Sequence, residues 1–598
     1  MAAGGLRLVV ISSEPNPPTW PPSVRVFENA TGVEKAVSEA YASNGGSPDI
    51  GQFSNSRFAF LFKPGDYDVE VPVGYYTQVL GLGEHPNSTR FVSARGVYCE
   101  EADAEYRVGA LDTFWRGAEN FQNLATYAWW DGAEGMLWAA SQASPLRRIE
   151  AEKVYLYEYR DGDAAAGYAS GGYLSDSKIA TLDAGSQQQY CVVQSEIGTF
   201  ENGAWNLVMV GVDGGVRDSC STERAVTTVA ASREPKPFII FKNDRYYLRA
   251  GVEDIDFERV RVVDDDLTRC ESFHCVLAPG VYAGDATMSS DGQILLGLGL
   301  ATIRGSLTVT ARNVRVAGLI IEALATPDLV TWKGSDGLAW DLFVRAGDFG
   351  NEGEPAPVET MMRIEGDRFV GDDFWLWRAD HDLGNASSKV LDGLIVAAEN
   401  VTFFGLAVEH AMRYQTKWLG RGGRVFFYQA ELPYDAGPDF DYPGFLALEE
   451  ILAVGVGVYS YFRDYPVRLA SAIEGRGTFE APLAVFLDGQ GSISHVHNDQ
   501  GPEINTTNRV SHVCGGGDDD DDDDDDDAGA GTRRRLAFGL LAPVLALAAL
   551  AGFCAAYHFL RSIGTPPAHR RQRSNNNFEL TAALVAPPPY FPVDDYPH

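Results

Sequence analysis

The chain has 598 residues, too many for one compact core, so two or more domains are expected. Hydrophobic residues at 45% and aromatics at 11% allow most of it to fold. The formal charge of −35 remains strongly acidic without the aspartate run at 518–527, which argues against nucleic acid and anionic lipid as partners.

The first stretch, residues 1–23, reads as an N-terminal arm. Its apolar run Leu6 to Ile11 is too short for the core of a signal peptide, so the true start lies upstream or export uses another route. Pro15 to Pro22 reads as extended. From Val24 onward, short Val-rich runs punctuated by Gly indicate an all-β chain. Alternation around Asp68 to Val73 marks a strand, with Pro64-Gly65 as the turn before it.

A second copy of this region follows. Pro64-Gly65-x-Tyr67 matches Pro279-Gly280-x-Tyr282, and Gln78 matches Gln293. Each pair is offset by 215 residues (279 against 64, 282 against 67, 293 against 78), an internal duplication at domain scale. The expected domains are 24–228 and 250–510, with 229–249 as linker. Arg233 to Pro237 anchors the linker, because its prolines withhold ladder donors.

Polar, Gly-rich segments interrupt the apolar strands of the first half. They are Phe114 to Asn120, Ser141 to Ser144, Ser170 to Asp176 and Gly185 to Gln189. Gln187 to Gln189 read as a structural ladder between coils. Gln142 and Ser170 fit either a ladder or a site.

The second half carries Glu409 and Glu431, 22 residues apart, among residues foreign to a bland surface. Glu409 is followed by His410, Tyr414, Gln415 and Trp418. Glu431 is flanked by Tyr428, Gln429 and Tyr434. Acids among aromatics and amides suit sugar chemistry: rings stack on pyranose faces, amides bond hydroxyls, and an apolar wall raises a carboxyl pKa. Trp375 and Trp377 point to one side of a strand, either into the core or toward sugar. Asp380 and His381 fall on opposite faces by the same alternation, so they suggest hydrogen bonding and no required metal.

Seven cysteines include no C-x-x-C pair, so a structural zinc is not expected. Cys270 and Cys275 either close a small disulfide loop or remain thiols. Sequons at Asn29, Asn87, Asn385, Asn400 and Asn505 are glycan acceptors if the chain enters a secretory lumen.

After Val513 the composition changes. Residues 511–535 form a Gly/Asp-rich disordered stalk, read as a solvated spacer rather than a calcium site. Leu536 to Leu560 gives 25 residues without a formal charge, enough for one transmembrane helix at 536–560. Arginines flank both ends, so the β domains are placed outside or in the lumen because a polymer substrate is found there. The disordered tail 561–598 is then cytoplasmic, and its PPPY at Pro587 to Tyr590 is a candidate WW-type docking motif.

Three segments carry a family resemblance. Phe374 to Asp382 (FWLWRADHD), Val408-Glu409-His410 and Glu431-Leu432-Pro433-Tyr434 are similar, in order and spacing, to motifs of glycoside hydrolase family 55, the exo-β-1,3-glucanases. The P-G-x-Y and G-x-G patterns resemble opening coils of pectin-lyase-like right-handed parallel β-helices. The resemblance covers roughly residues 24–510 and implies two such β-helices side by side. It implies that Glu431 is the general acid. Glu409 would polarise the attacking water, with Gln142 and Ser170 as catalytic polar groups from the first β-helix. The implied sugar-binding set is Trp375, Trp377, Asp380, His381, His410, Tyr414, Gln415, Trp418, Tyr428, Gln429 and Tyr434. No cofactor is implied, and the substrate would be a β-glucan. One coil is about 4.8 Å thick, whereas inverting carboxyls stand roughly 6.5–9.5 Å apart. Two glutamates one coil apart therefore suit a water relay better than a lone acid–base pair. The expected Glu409 charge should raise the Glu431 pKa. Two other classes are weighed: a non-catalytic glycan-binding adhesin, and a polyuronate lyase. The glutamates with their aromatics oppose the first, and the acidic chain opposes the second.

Overall fold

The computed structural model describes residues 13–514 apart from 46–50, 101–108, 131, 159–167, 186, 271–273, 325, 348–356 and 380–388. Asp380, His381, the sequon at Asn385, the acidic run, the apolar stretch 536–560 and the PPPY motif lie outside the described residues.

Two large sheets hold most of the described strands. One of sixteen strands runs from Val24–Phe27 to Ala225–Val229, and one of eighteen from Val260–Val263 to Val510–His512. Pairing is parallel almost throughout, and each coil lies on the next. In the first sheet Leu146 faces Leu174, Leu174 faces Val192, and Val192 faces Met209. In the second Phe343 faces Trp375, Trp375 faces Ala407, and Ala407 faces Gln429. This is a β-helix architecture. Its cause is local: short alternating strands put every second side chain inside. Leu342, Phe374, Leu406 and Tyr428 stack there as one buried column in the second sheet.

The duplication is visible in bonds. Tyr67 Oη donates to the carbonyls of Lys63 (2.8 Å) and Phe27 (2.9 Å). Tyr282 Oη donates to Ala278 (2.7 Å) and Val263 (3.0 Å). In both copies the phenol anchors the first corner to the coil beneath.

The corner facing the first sheet recurs in each coil of the second as a left-handed residue: Gly318, Asp341, Asp373, Gly405, Phe427 and Gly455, with φ between 47° and 76°. At Gly405 a Cβ would lie 2.8 Å from Tyr173 Cδ2, so glycine serves both the backbone and the close approach of the two sheets. Apolar clusters shared by both sheets join them there, one around Tyr173, Val208, Phe404 and Phe426 and another around Leu61, Leu80, Leu296 and Leu298.

Between them lies a buried ionic cluster. Arg147 contacts Asp341 and Asp372 (2.7 Å), Arg233 contacts Asp372 and Asp176 (2.9 Å), and Lys236 contacts Glu119 (2.9 Å) and Asp341 (2.8 Å). The expected linker 229–249 thus needs correction. Its Arg233 and Lys236 are core residues of the junction. Its second half is sheet: Phe238–Lys242, Arg245–Ala250 and Glu253–Asp256 form an antiparallel three-stranded unit. The turn residues Asn243 and Asp244, both at positive φ, permit the tight hairpin.

The cysteine alternatives resolve into two disulfides. Cys270 bonds Cys275, and Cys220 bonds Cys514 across 294 residues. Cys99 and Cys191 are buried and take part in neither disulfide.

Candidate active site

Glu409 ends the strand Thr402–Glu409, and Glu431 ends Gly423–Glu431. Ala407 pairs with Gln429, and the His410 N–H donates to the Glu431 carbonyl at 2.9 Å. The two acids therefore stack on adjacent coils. One coil earlier Trp377 pairs with Glu409, and Trp375 with Ala407. Alternation turns Trp375, Trp377, Gln429 and both glutamates out of the solenoid, while Leu376, Val408 and Tyr428 turn in.

The first sheet supplies the opposite wall. Gln142 Nε2 donates to Glu409 Oε1 at 3.3 Å and to Gln429 Oε1 at 3.2 Å. Ser170 Oγ donates to Gln142 Oε1 at 2.8 Å, and Gln189 Nε2 holds the Ser170 carbonyl at 2.7 Å. Trp375 Nε1 completes the shell of Glu409 by donating to Oε2 at 2.8 Å. A polar relay from one β-helix thus meets a carboxylate of the other.

Glu409 is only 3% exposed, and its pKa is raised well above the usual carboxylate range. Burial is the main cause and the charge of Glu431 the second, while the bonds from Trp375, Gln142 and Gln429 oppose it. The sequence placed this effect of a neighbouring charge on Glu431; the structure shows it on Glu409, the more deeply enclosed carboxyl. A carboxyl raised in this way retains its proton at a pH where a lone glutamate would have lost it.

Glu431 keeps a short bond from the Tyr434 hydroxyl to Oε2. His410 Nε2 stands 3.7 Å from the same oxygen, and its ring meets Tyr434 edge-on at 4.5 Å. Arg378 fastens this loop by donating to the His410 carbonyl and pairing with Asp435.

Several expected sugar contacts lie elsewhere. Trp418 and Tyr428 are fully buried inside the solenoid, packed on Phe403 and Phe445. The Tyr428 hydroxyl is spent on Thr416 (3.0 Å) and Gly444 (2.8 Å). Gln415 braces a turn through both backbone groups of Ala411, each at 2.7 Å. Tyr414 packs on Tyr442 and under Lys417, outside the cleft. The inward phase of the coil explains the placement of Trp418 and Tyr428. Of the Gln187 to Gln189 run, Gln187 is structural, bonding the carbonyls of Ala140 and Leu156, whereas Gln188 lines the cleft.

Sequence reasoning missed Phe114 and Trp115 as individual residues. Phe114 lines the cleft 4.9 Å from Trp375, and Trp115 stacks on Trp375 at 5.4 Å. Their segment reads as polar and Gly-rich, and its aromatic pair is the usable signal. Leu111 and Leu487 also line the cleft, and nothing local marked them.

Comparison with known proteins fits this geometry. A model of the LAM55 pectate lyase-like domain matches residues 257–431. An exo-beta-1,3-glucanase of Streptomyces sp. (strain SirexAA-E / ActE) is 32% identical, the match covering 80% of this chain and 86% of that protein. The solved structure of sacteLam55A from Streptomyces sp. SirexAA-E superposes with a TM-score of 0.72 at 28% identity, covering 83% of this chain and 98% of that one. A single-residue variant of sacteLam55A in complex with glucose gives a TM-score of 0.71 at 28% identity, with the same coverage.

Proposed function

The chain belongs to glycoside hydrolase family 55, and from that premise we propose an exo-acting, inverting hydrolase of β-1,3-linked glucan. The observation that carries the reading is the Ser170–Gln142–Glu409 relay facing Glu431 across one cleft. The relative's name, an exo-beta-1,3-glucanase, supports the substrate class.

In this reading water is held by Gln142 and Ser170 beside the anomeric carbon. Its oxygen attacks that carbon, and the glycosidic C–O bond breaks with its electron pair on the leaving oxygen. Glu431 gives its proton to that oxygen, and the water's proton passes to Glu409, which in the reactive form is the carboxylate that accepts from Gln142 and Trp375. Exchange within the coupled pair resets the site. Trp375 both orients Glu409 and presents its ring, with Phe114, as a sugar platform. Other parts of the proposal rest on sequence alone: tethering through 536–560, an outward or lumenal β-helix region, glycans on the sequons, and a WW-type partner for the tail. The two disulfides are consistent with an oxidising compartment.

A reducing-sugar assay on laminarin, with cellulose and pectate as controls, tests the function. Release from laminarin alone is expected. Release from pectate, or from none, would refute it.

A further inference from the structure

The two oxygens of Glu431 stand in unlike surroundings. Oε2 accepts from the Tyr434 hydroxyl and has His410 Nε2 at 3.7 Å. Oε1 has a long 3.5 Å contact from Gln429 Nε2. Tyr434 is itself locked in place. It is 3% exposed, its ring meets His410 at 4.5 Å and Tyr461 at 4.9 Å, and its carbonyl accepts from the Arg463 N–H at 3.2 Å. Pro433 restricts the backbone just before it, and Asp435 just after it is paired with Arg378.

We propose that Tyr434 is a positioning residue for proton donation: its hydroxyl claims Oε2, so the transferable proton sits on Oε1, the oxygen left to meet the leaving group. This rests on Glu431 being the proton donor. In a protonated carboxyl the carbonyl oxygen is the better acceptor, so a phenol donating to Oε2 favours the carboxyl proton on Oε1. When the Oε1–H bond breaks and the proton moves to the glycosidic oxygen, negative charge spreads to Oε2, and the phenol bond strengthens. Tyr434 thus helps most when the leaving group demands most protonation. A sugar-stacking role, the first expectation for this residue, would show no such dependence.

The test compares Tyr434→Phe, Glu431→Gln and Tyr461→Phe on laminarin and on 2,4-dinitrophenyl β-glucoside, whose leaving group needs little protonation. Tyr434→Phe keeps the ring contacts. Its kcat on laminarin should fall roughly 10–100-fold, the range of one charge-assisted hydrogen bond. Its KM should be unchanged and its activity on the aryl glucoside nearly intact. Tyr461→Phe should behave like wild type on both. Equal losses on both substrates by Tyr434→Phe, a rise confined to KM, or a matching loss in Tyr461→Phe would overturn the proposal. Should Glu431→Gln itself show no difference between the substrates, the donor assignment fails and Tyr434's role fails with it. A difference in Glu431→Gln without one in Tyr434→Phe refutes the positioning role alone.

Discussion

Gln142 and Glu409 are 267 residues apart in the chain and 3.3 Å apart in the fold. The contact crosses from one β-helix to the other, so the site exists only when both are folded and docked. Gln142→Ala should remove the bridge between Ser170 and Glu409 while leaving the aromatic walls in place. We expect kcat on laminarin to fall by about 10²-fold or more with little change in KM, read from steady-state kinetics.

Glu409→Gln keeps the shape but removes the acceptor for the water's proton. Both laminarin and an activated aryl glucoside need that water, so both rates should fall together. A loss confined to laminarin would mean that Glu409, and not Glu431, protonates the leaving group.

The junction makes a stability prediction. Gly455 has φ +62°, and a Cβ there would lie 2.3 Å from Val208 Cγ2 of the first sheet. Gly455→Ala meets both a strained backbone and an overlap, at a cost of about 1–3 kcal/mol. Thermal unfolding should show the loss, and an unchanged midpoint would argue against the close docking.

The ionic cluster makes a pH prediction. Arg147, Arg148, Arg233 and Lys236 face Glu119, Asp176, Asp341 and Asp372, four cations against four anions. Asp373 is an additional acid, and its pKa is raised well above its ordinary 3.8, first by burial and then by Asp341. A carboxyl raised in the fold stabilises fully below its unfolded pKa and loses that contribution as pH rises toward the folded one. Above about pH 4 the cost accrues at about 1.4 kcal/mol per pH unit until the folded pKa is reached. Asp373→Asn cannot ionise and tolerates the left-handed backbone at φ +60°. Unfolding free energy, measured from pH 4 to 9, should gain on wild type as pH rises. A difference that is flat with pH would contradict the balance.

Parts of this were readable in the sequence. Tyr67 and Tyr282 announced the duplication because one phenol performs one task at each corner. Gln142 and Ser170 came from the resemblance, since no local pattern separates a relay amide from a ladder amide such as Gln187. Tyr428 could have been read correctly: with Glu431 outward, strict alternation puts Gln429 out and Tyr428 in. Trp418 could not, because it lies on the separate three-residue strand Thr416–Trp418, too short to fix a phase. The roles of Arg233 and Lys236 were hidden because their carboxylate partners come from distant coils of both sheets.

The central claim is that Glu431 protonates while water attacks from the opposite face, with no covalent intermediate. Proton NMR of laminarin hydrolysis, recorded before mutarotation, tests it most directly. The account predicts α-glucose as the first product. β-Glucose as the first product would show retention and contradict it.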